Sequence, residues 1–245
     1  MPGTLYVVAT PIGNLEDITQ RALRVLREVE LIAAEDTRRT RILLDYYQIE
    51  TALTSLYEHN EVYKAPGLIR RLEQGESIAL VSEAGTPLIS DPGFRFVQLA
   101  IAHSLPVVPI PGPSAVIAAL MTAGLPTDRF IFEGFLPKKP GKRRRRLQEL
   151  QDEPRTTIFY ESPRRLQELL GEIQTCWGDR RVVVARELTK KFEELLRGQI
   201  SEVQAQLAER PPLGEITVVV EGATSPTRSP ASHDQVDPAD PGQCG

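Results

Sequence analysis

Short apolar runs alternate with segments of helical periodicity along most of this chain, and this alternation limits the folds that it can adopt. One such run, residues 5–9, ends at Thr10-Pro11-Ile12-Gly13-Asn14. Another, residues 78–81, ends at a second segment with glycine and proline. Between these runs, apolar residues recur at helical spacing, as at Ala22 and Leu26. Strands that alternate with helices predict an α/β fold with mostly parallel strands.

The predicted elements form two groups of similar size. Strands of the first group are predicted at residues 5–9, 29–34, 52–57, 78–81 and 107–110. Its helices are predicted after Asp17 and Asp36 and at residues 64–74, 94–103 and 113–122. The strands of the second group are predicted at residues 129–135, 156–160, 181–186 and 216–221. Its helices are predicted at residues 142–150, 164–173 and 201–209.

The connection near residues 112–124 predicts two domains, residues 1–112 and 113–222, and one continuous large domain is the alternative. A chain of 245 residues, 41% of them apolar, is long enough for either. Residues 223–245 contain four prolines, no aromatic residue and one large aliphatic side chain. Because such a segment cannot bury enough apolar surface to offset its ordering entropy, we predict a disordered tail.

The small number of cysteines and histidines indicates in which compartment the protein works and whether it binds a metal. Two cysteines, Cys176 and Cys244, provide no disulfide framework, so a reducing compartment is expected. The three histidines have no ligand-like spacing, and we expect no metal site. The N-terminus has no basic segment typical of a signal peptide, and no apolar run approaches the roughly 20 residues that span a bilayer. The sequence therefore predicts a soluble, cytoplasmic protein without a membrane segment.

Charge is distributed unevenly although the formal net charge is only -4. Residues 129–165 contain 11 Lys/Arg and 5 Asp/Glu, a local net of +6, so the remainder sums to -10. Seven cations lie within nine residues: Lys138, Lys139, Lys142, Arg143, Arg144, Arg145 and Arg146. A basic segment on an acidic body indicates a site for a nucleic-acid backbone. A solvated, mobile loop is the alternative.

Three loops that follow predicted strands share one composition, a mixture of glycine and proline. They lie at residues 10–14, at residues 82–87 continuing to Asp91-Pro92-Gly93, and at residues 111–115. Glycine lets a ligand approach the backbone and proline stiffens the turn. Ligands of open α/β sheets gather at the carboxyl ends of strands, so these loops predict a ligand cleft, with ordinary turns as the alternative. The chain has neither a dinucleotide-binding nor a P-loop motif, which favours a small ligand with a carboxylate or a ribose.

Two charged segments also follow predicted strands. Glu35 and Asp36 precede Arg38, and they line the cleft or, alternatively, cap the next helix and pair with an arginine. Glu187 and Lys190 follow a strand of the second group. At the edge of a cleft, Lys190 would have a lowered pKa and act as a base, whereas a solvated lysine is the alternative.

Eight motifs in order resemble those of a known family. They are Thr10-Pro11-Ile12-Gly13-Asn14-Leu15, Glu35-Asp36-Thr37-Arg38, His59-Asn60-Glu61, Ser82-Glu83-Ala84-Gly85-Thr86-Pro87, Pro111-Gly112-Pro113-Ser114, Glu133-Gly134-Phe135-Leu136-Pro137, Phe159-Tyr160-Glu161-Ser162-Pro163 and Ala185-Arg186-Glu187-Leu188-Thr189-Lys190. Over about residues 4–222 the sequence resembles the tetrapyrrole methylase superfamily, and within it the family that forms 2′-O-methylcytidine in 16S rRNA. It departs from that pattern at Glu83, where aspartate is usual, and at Arg164, where histidine is common. Many members also continue into a helical C-terminal domain where this chain has its polar tail.

The resemblance implies a two-domain fold with S-adenosylmethionine in the cleft between the domains, a homodimer, and methylation of a cytidine ribose in 16S rRNA, within the 30S subunit. The implied cofactor-binding residues are Pro11, Gly13, Asn14, Ser82, Glu83, Ala84, Gly85, Pro87, Pro111, Gly112, Ser114, Ala115, Phe135 and Leu136. The expected RNA contacts are Arg38, Lys138, Lys139, Lys142, Arg143, Arg144, Arg145, Arg146 and Arg164. The candidate catalytic residues are Lys190, Glu187 and Glu35. A tetrapyrrole or corrin precursor methyltransferase and a non-catalytic RNA-binding assembly factor are the alternatives.

Overall fold

The computed structural model describes residues 1–210 and 213–224. The predicted disordered tail, apart from residues 223 and 224, lies outside the described residues. The described residues form two five-stranded sheets, each covered by helices on both faces. The predicted α/β architecture is therefore confirmed.

The first sheet is built from the first group of predicted strands, and all its pairings are parallel. Its strands are β1 (Leu5–Val8), β2 (Leu31–Ala34), β3 (Leu53–Ser55), β4 (Ile78–Val81) and β5 (Val107–Ile110), in the order β3-β2-β4-β1-β5. The helices between them are α1 (Gln20–Glu28), α2 (Thr37–Tyr46), α3 (Glu61–Glu73) and α4 (Phe94–Ala102). On one face Val8 and Ile32 pack with Leu26 of α1, and on the other Leu80 packs with Phe96 of α4.

The second sheet is mixed, which corrects the expectation of mostly parallel strands. Its strands are β6 (Phe130–Phe135), β7 (Thr156–Glu161), β8 (Arg181–Arg186), β9 (Glu194–Gln199) and β10 (Ile216–Val220), in the order β6-β7-β10-β8-β9. Only β6 and β7 pair in parallel, and the other three pairings are antiparallel. Strand β9 was missing from the sequence prediction. It returns directly from β8 as an edge strand, and its sequence has no β-branched residue.

Four helices cover the second sheet. They are α5 (Ala115–Ala123), α6 (Pro140–Glu149), α7 (Pro163–Trp177) and α8 (Ile200–Glu209). Helices α6, α7 and α8 share one core with the sheet, in which Leu147 and Leu169 pack with Val218. Helix α5 lies on the opposite face, where Leu120 packs with Val219. The chain therefore crosses from the first sheet to the second between β5 and α5, and a domain boundary at residue 112 stays a prediction.

Two helix starts differ from the sequence prediction. Helix α1 is capped by the Thr19 side chain, which accepts from the Ala22 amide, while Asp17 belongs to a preceding 3₁₀ turn. Helix α3 begins at Glu61, three residues before the predicted start, and continues through Pro66. No helix among the described residues is both long and apolar enough to cross a membrane.

Candidate active site between the two sheets

The three Gly/Pro loops of the first sheet meet at one edge. Thr10 and Gly85 exchange two backbone hydrogen bonds, of 2.9 and 3.0 Å, which join the loop after β1 to the loop after β4. The Thr86 hydroxyl donates to the Pro113 carbonyl at 2.9 Å, which joins the loop after β4 to the loop after β5. These contacts occur because the carboxyl ends of parallel strands lie at the same edge of a sheet.

The same loops contact the second sheet. Ile12 packs in the core between α5 and the second sheet. The Asn14 amide donates to the Thr189 hydroxyl at 3.1 Å. A Cβ atom at Gly13 would lie 2.3 Å from Cγ of Lys190, so this close approach requires glycine. The loop after β1 is therefore fixed against the β8–β9 connection across the cleft.

The loop after β4 reaches the second sheet with a strained backbone. Leu88 and Ser90 adopt positive φ angles of 75° and 67°, which non-glycine residues rarely do. Ser90 lies against Gly134, where a Cβ atom would come within 2.8 Å of the Ser90 hydroxyl oxygen. Strain of this kind persists only where surrounding contacts enforce it, and it places Asp91 between the two sheets.

Two cavities lie in the cleft, and they share part of their walls. The first chamber, of about 390 Å³, is lined by Ile12, Glu35, Glu83, Ala84, Ser90, Asp91, Ala115, Phe135, Tyr160, Glu161, Ser162, Pro163, Ala185, Leu188, Gly214, Glu215, Ile216 and Thr217. The second chamber, of about 320 Å³, is lined by Thr10, Pro11, Ile12, Gly13, Leu15, Arg39, Thr40, Ile42, Leu43, Ser82, Glu83, Ala84, Lys190 and Glu215. Their sizes are typical of sites for small organic ligands.

Seven of the fourteen residues predicted to bind the cofactor line one or both chambers. Those that line the first chamber are Glu83, Ala84, Ala115 and Phe135. Those that line the second are Pro11, Gly13, Ser82, Glu83 and Ala84. The others, Asn14, Gly85, Pro87, Pro111, Gly112, Ser114 and Leu136, line neither chamber as the described residues define them. The Leu136 side chain is 3% exposed and packs in the core of the second sheet, so only its backbone remains for a ligand.

The first chamber is acidic. Five carboxyl groups line it, those of Glu35, Glu83, Asp91, Glu161 and Glu215, and its described lining residues include no lysine, arginine or histidine. Glu35 accepts a hydrogen bond of 3.1 Å from the Glu83 amide. Burial raises the pKa of Glu35 in spite of that bond, and the negative charges of Glu83 and Asp36 raise it further. Three of these groups pair with cations outside the lining, Glu83 with Arg39, Glu161 with Arg165 and Glu215 with Lys190. Glu35 and Asp91 form no ion pair with a described residue, and their carboxyl groups favour a cationic or hydroxyl-bearing ligand over a phosphate.

Asp91 has the most strongly raised pKa of these carboxyl groups. Burial raises its pKa to about 6, and the charges of Glu35 and Glu83 add to the rise, whereas the Ser82 hydroxyl opposes it. Burial likewise raises the pKa of Tyr160 to about 12, and the charge of Asp91 adds to it. Asp91 is therefore ionised at neutral pH but binds a proton far more readily than an ordinary aspartate.

Lys190 is held as a cation, which corrects the expectation of a lowered pKa. Its ammonium group lies 2.9 Å from Oε1 of Glu187 and 3.2 Å from Oε2 of Glu215. Burial alone would lower its pKa, but the two carboxylates outweigh burial and raise it. Burial alone would raise the pKa of Glu187, but the Glu215 amide and Lys190 hold it below its ordinary value. Glu187 lines neither chamber of the cleft.

A model of the family of tetrapyrrole (corrin/porphyrin) methylases matches residues 4–204. The chain belongs to this family. A "Ribosomal RNA small subunit methyltransferase I" of Xylella fastidiosa (strain Temecula1) is 55% identical over 225 residues, which cover 91% of this chain and 82% of that protein. The protein of the same name from Pseudomonas aeruginosa is 55% identical over 227 residues, covering 91% and 80%.

The fold of this tetrapyrrole methylase is similar to that of solved members. A crystal structure of uroporphyrin-III C-methyltransferase from Thermus thermophilus, in complex with S-adenosylhomocysteine, aligns with a TM-score of 0.63 and 19% identity. The alignment covers 89% of this chain and 97% of that chain. The tetrapyrrole-methylase fold expected from the sequence is confirmed, with its two sheets and their covering helices.

The basic segment of this methylase divides into paired arginines and exposed lysines. Arg143 is 1% exposed and forms ion pairs with Glu168 and Glu172 between α6 and α7. As a direct RNA contact, Arg143 is therefore a wrong prediction, because its guanidinium group is buried and already paired. The run of cations gave no signal that the helix face of Arg143 is the buried one.

The next three arginines are also paired. Arg144 pairs with Glu172 at 3.3 Å, Arg145 with Glu149 at 3.1 Å, and Arg146 with Glu133 at 2.7 Å and with Glu149. By contrast, Lys138, Lys139, Lys142 and Arg164 are exposed and form no ion pair with any described residue. Arg38 is 91% exposed and lies near Asp36, which caps α2.

Lys138 and Arg164 lie beside the first chamber. They line an open groove of about 940 Å³ whose wall includes Ser162 and Pro163, and these two residues also line the first chamber. Two of the predicted RNA contacts that remain available, Lys138 and Arg164, thus adjoin the first chamber. Among the described residues, no group of three histidine, cysteine, aspartate or glutamate side chains could hold a metal ion.

Sequence reasoning missed several residues of the first chamber. Asp91 was noted as part of an extended loop, but its neighbours in space are distant in sequence. Glu161 was quoted within a motif without a role, yet its side chain is 0% exposed. Its Oε1 accepts from the Ser162 amide at 2.7 Å and pairs with Arg165, while Oε2 has no hydrogen-bond partner among the described residues. The apolar strand ending at Glu161 was the available signal, since a charged residue there enters the cleft.

Proposed function

We propose that this tetrapyrrole methylase transfers the methyl group of S-adenosylmethionine to the ribose 2′-hydroxyl of a cytidine in 16S rRNA. The observation that carries the proposal is the 55% identity, over 91% of the chain, to proteins named ribosomal RNA small subunit methyltransferase I. The available cations beside the mouth of the cleft support it, because a polyanionic substrate requires them. The protein acts in the cytoplasm, as a homodimer, on RNA within the 30S subunit.

The cofactor fits the residues of the cleft. S-adenosylmethionine supplies an electrophilic methyl group on a sulfonium cation. A cavity of about 390 Å³ with five carboxyl groups and no described cation in its lining suits a small cationic ligand. Phe135, which is 57% exposed at this cavity, provides a ring face for an adenine. We assign Glu83, Ala84, Ala115 and Phe135 to cofactor binding on these grounds.

The cleft residues hold the reacting groups in line and exclude water. Alignment of the ribose oxygen with the methyl carbon and the sulfonium sulfur supplies several kcal/mol of the barrier reduction, roughly 7 or more in well-oriented systems. Glu83 and Ala84 lie on the wall shared by both chambers, so cofactor and nucleotide in adjoining chambers meet there. Arg39 and Lys190 line the second chamber and provide positive charge for the phosphates that flank the target ribose.

Transfer of a labelled methyl group tests the proposed function. The protein is incubated with S-adenosylmethionine labelled in the methyl group and with assembled 30S subunits, naked 16S rRNA or a tetrapyrrole precursor. We expect label in the RNA and none in the tetrapyrrole. Label in the tetrapyrrole alone would identify the protein as a tetrapyrrole precursor methyltransferase. Failure to bind S-adenosylmethionine at micromolar concentrations would instead indicate a non-catalytic RNA-binding factor.

A further inference from the structure

We propose that Asp91 is the general base that accepts the proton of the ribose 2′-hydroxyl. This inference rests on the proposed function and adds a catalytic residue that the sequence motifs did not nominate. It follows from three features of the cleft. Lys190 and Glu187, two other candidates, are already ion-paired with each other. Asp91 lines the first chamber, and the groups that face Asp91 favour its protonated form.

Lys190 and Glu187 are poor acceptors for this proton. The Lys190 ammonium group lies between the carboxylates of Glu187 and Glu215, and both stabilise its protonated form. Glu187 accepts hydrogen bonds at Oε1 from the Lys190 ammonium group and from the Glu215 amide, each at 2.9 Å. Bonds that stabilise a carboxylate reduce its basicity. Lys190 instead provides a fixed positive charge at the second chamber.

The strained backbone of the loop after β4 holds Asp91 where the two sheets meet. The positive φ angles of Leu88 and Ser90 and the contact of Ser90 with Gly134 bring the loop after β4 across the cleft. Asp91 then lines the first chamber opposite Ala115 at the start of α5 and beside Tyr160 of β7. Backbone strain is concentrated where a side chain must be positioned for function, and here the positioned side chain is a carboxylate.

The groups that face Asp91 favour proton uptake. They are the carboxylates of Glu35 after β2 and Glu83 after β4, the Ser82 hydroxyl, and the phenol of Tyr160. None of these is cationic, and the described lining of the first chamber contains no lysine, arginine or histidine, but Arg39 of α2 pairs with the Glu83 carboxylate at 2.8 Å. Because the pKa of Asp91 is about 6, the group is ionised at neutral pH and remains a useful proton acceptor.

The step balances with the groups already named. A bond forms between the ribose 2′-oxygen and the methyl carbon, while the bond from that carbon to sulfur breaks and leaves its electron pair on sulfur. The proton of the hydroxyl passes to the Asp91 carboxylate and then to solvent when the products leave. Asp91, Glu35 and Glu83 line the first chamber and Glu83 also lines the second, so the proposal requires the 2′-hydroxyl to reach the first chamber at the wall that both chambers share.

The Asp91→Asn variant, assayed as the full-length protein on the RNA substrate, tests the proposal. We expect kcat to fall by about 10²-fold or more, the usual contribution of a general base, with KM and the Kd for S-adenosylmethionine within about threefold of wild type. Asp128→Asn, an exposed aspartate before β6, is the matched control and should keep full activity. A kcat within threefold of wild type, or a loss of cofactor binding as large as the loss of kcat, would overturn the proposal.

The pH profile of kcat/KM, which reports the ionisation of the free enzyme, separates a catalytic role from a structural one. Wild type should lose activity on the acid side with an apparent pKa near 6, and Glu35→Gln, which removes a neighbouring charge, should move that limb to lower pH. Asp91→Glu keeps a carboxylate and should retain an acid limb at reduced kcat, which decides the question even if the asparagine variant fails to fold.

A profile without an acid limb in either protein contradicts the proposal. Wild type inactive on every RNA would refute the proposed function itself, whereas an active wild type with an active Asp91→Asn variant refutes only this inference.

Discussion

Lys142 and Arg143 are neighbours in the chain, but they lie in different environments. Lys142 is exposed, whereas Arg143 is buried between α6 and α7 and paired with two glutamates. A run of cations in a sequence therefore contains two kinds of residue. The helix face that meets the core determines which of them are structural and which remain available to a phosphate.

Replacement of these two residues should have opposite effects. Arg143→Ala leaves Glu172, which is 13% exposed, without its main partner, and removal of one member of a buried pair costs about 3–5 kcal/mol. We therefore expect a loss of about 3 kcal/mol in the free energy of unfolding, measured by urea denaturation. Lys142→Ala should change stability by less than about 0.5 kcal/mol but weaken RNA binding. Equal stability of the two variants would contradict a structural role for Arg143.

Asp91 should reduce the stability of the protein at neutral pH. Its pKa is about 6 in the folded state against an ordinary value of 3.8, so its favourable contribution exists at low pH and is lost as the pH rises through 6. Asp91→Asn should consequently be more stable than wild type at pH 8, by about 1–2 kcal/mol after allowance for partial solvent exposure, and have no such advantage below about pH 4. Thermal unfolding over this pH range measures the difference. A variant that is less stable than wild type at pH 8 would refute the account of Asp91.

At the scale of elements, the periodicity of the sequence predicted most strands and helices. The first sheet could be predicted well because each buried parallel strand, such as Ile78–Val81, is a continuous apolar run with loops at both ends. Strand β9 could not, because Glu194–Gln199 is a half-exposed edge strand without apolar alternation. The antiparallel pairings of the second sheet likewise depend on a short return from β8 to β9, which local sequence does not specify.

Only part of the candidate site could be predicted from the sequence. The Gly/Pro loops were found because glycine and proline mark positions where the backbone turns closely, as at Gly85 with its φ angle of 81°. The acidic chamber was not found because its carboxylates come from several strand ends. Glu35 and Asp91 follow neighbouring strands of the first sheet, whereas Glu161 ends β7 of the second, so the full acidic lining forms only where the two sheets meet.

Replacement of Gly13 tests whether the contact between the β1 loop and the β8–β9 connection controls the site. A methyl group at this position would overlap the Lys190 side chain, so Gly13→Ala should push apart the β1 loop and the β8–β9 connection. We expect a rise of about tenfold or more in KM for the RNA, measured by steady-state kinetics, because the second chamber is lined by both residues. Gly141→Ala is the control, since nothing lies within 4 Å of an added Cβ atom there. Unchanged kinetics in Gly13→Ala would show that close contact between the β1 loop and the β8–β9 connection is not needed for RNA binding.

At the scale of the whole molecule, opposite charges occupy different regions. Acidic groups line the first chamber, while the exposed Lys138 and Arg164 line the groove that adjoins it. Under the proposed function, RNA phosphates contact Lys138 and Arg164 in the groove and Arg39 and Lys190 in the second chamber, outside the acidic first chamber. The formal net charge of -4 is therefore compatible with RNA binding, because a local surface makes the contact.

The salt dependence of RNA binding measures that local surface. Replacement of both Lys139 and Lys142 by alanine should reduce the slope of log K against log salt by about 1–2, since each lost phosphate contact changes it by roughly 0.7–0.9. The control replaces Arg27 and Arg70, which lie in the last turns of α1 and α3, at the opposite edge of the first sheet. This control changes the net charge equally but should leave the slope unchanged. Equal slopes in the two double variants would exclude Lys139 and Lys142 from the RNA contact.

The position of the transferred methyl group on the RNA is the most direct test of the central claim. The 16S rRNA is recovered from 30S subunits after reaction with methyl-labelled S-adenosylmethionine and then hydrolysed in alkali. A methylated 2′-oxygen cannot attack the adjacent phosphodiester, so ribose methylation predicts label in an alkali-resistant dinucleotide that begins with 2′-O-methylcytidine. Label recovered in a mononucleotide with a methylated base, or on a nucleoside other than cytidine, would contradict the account.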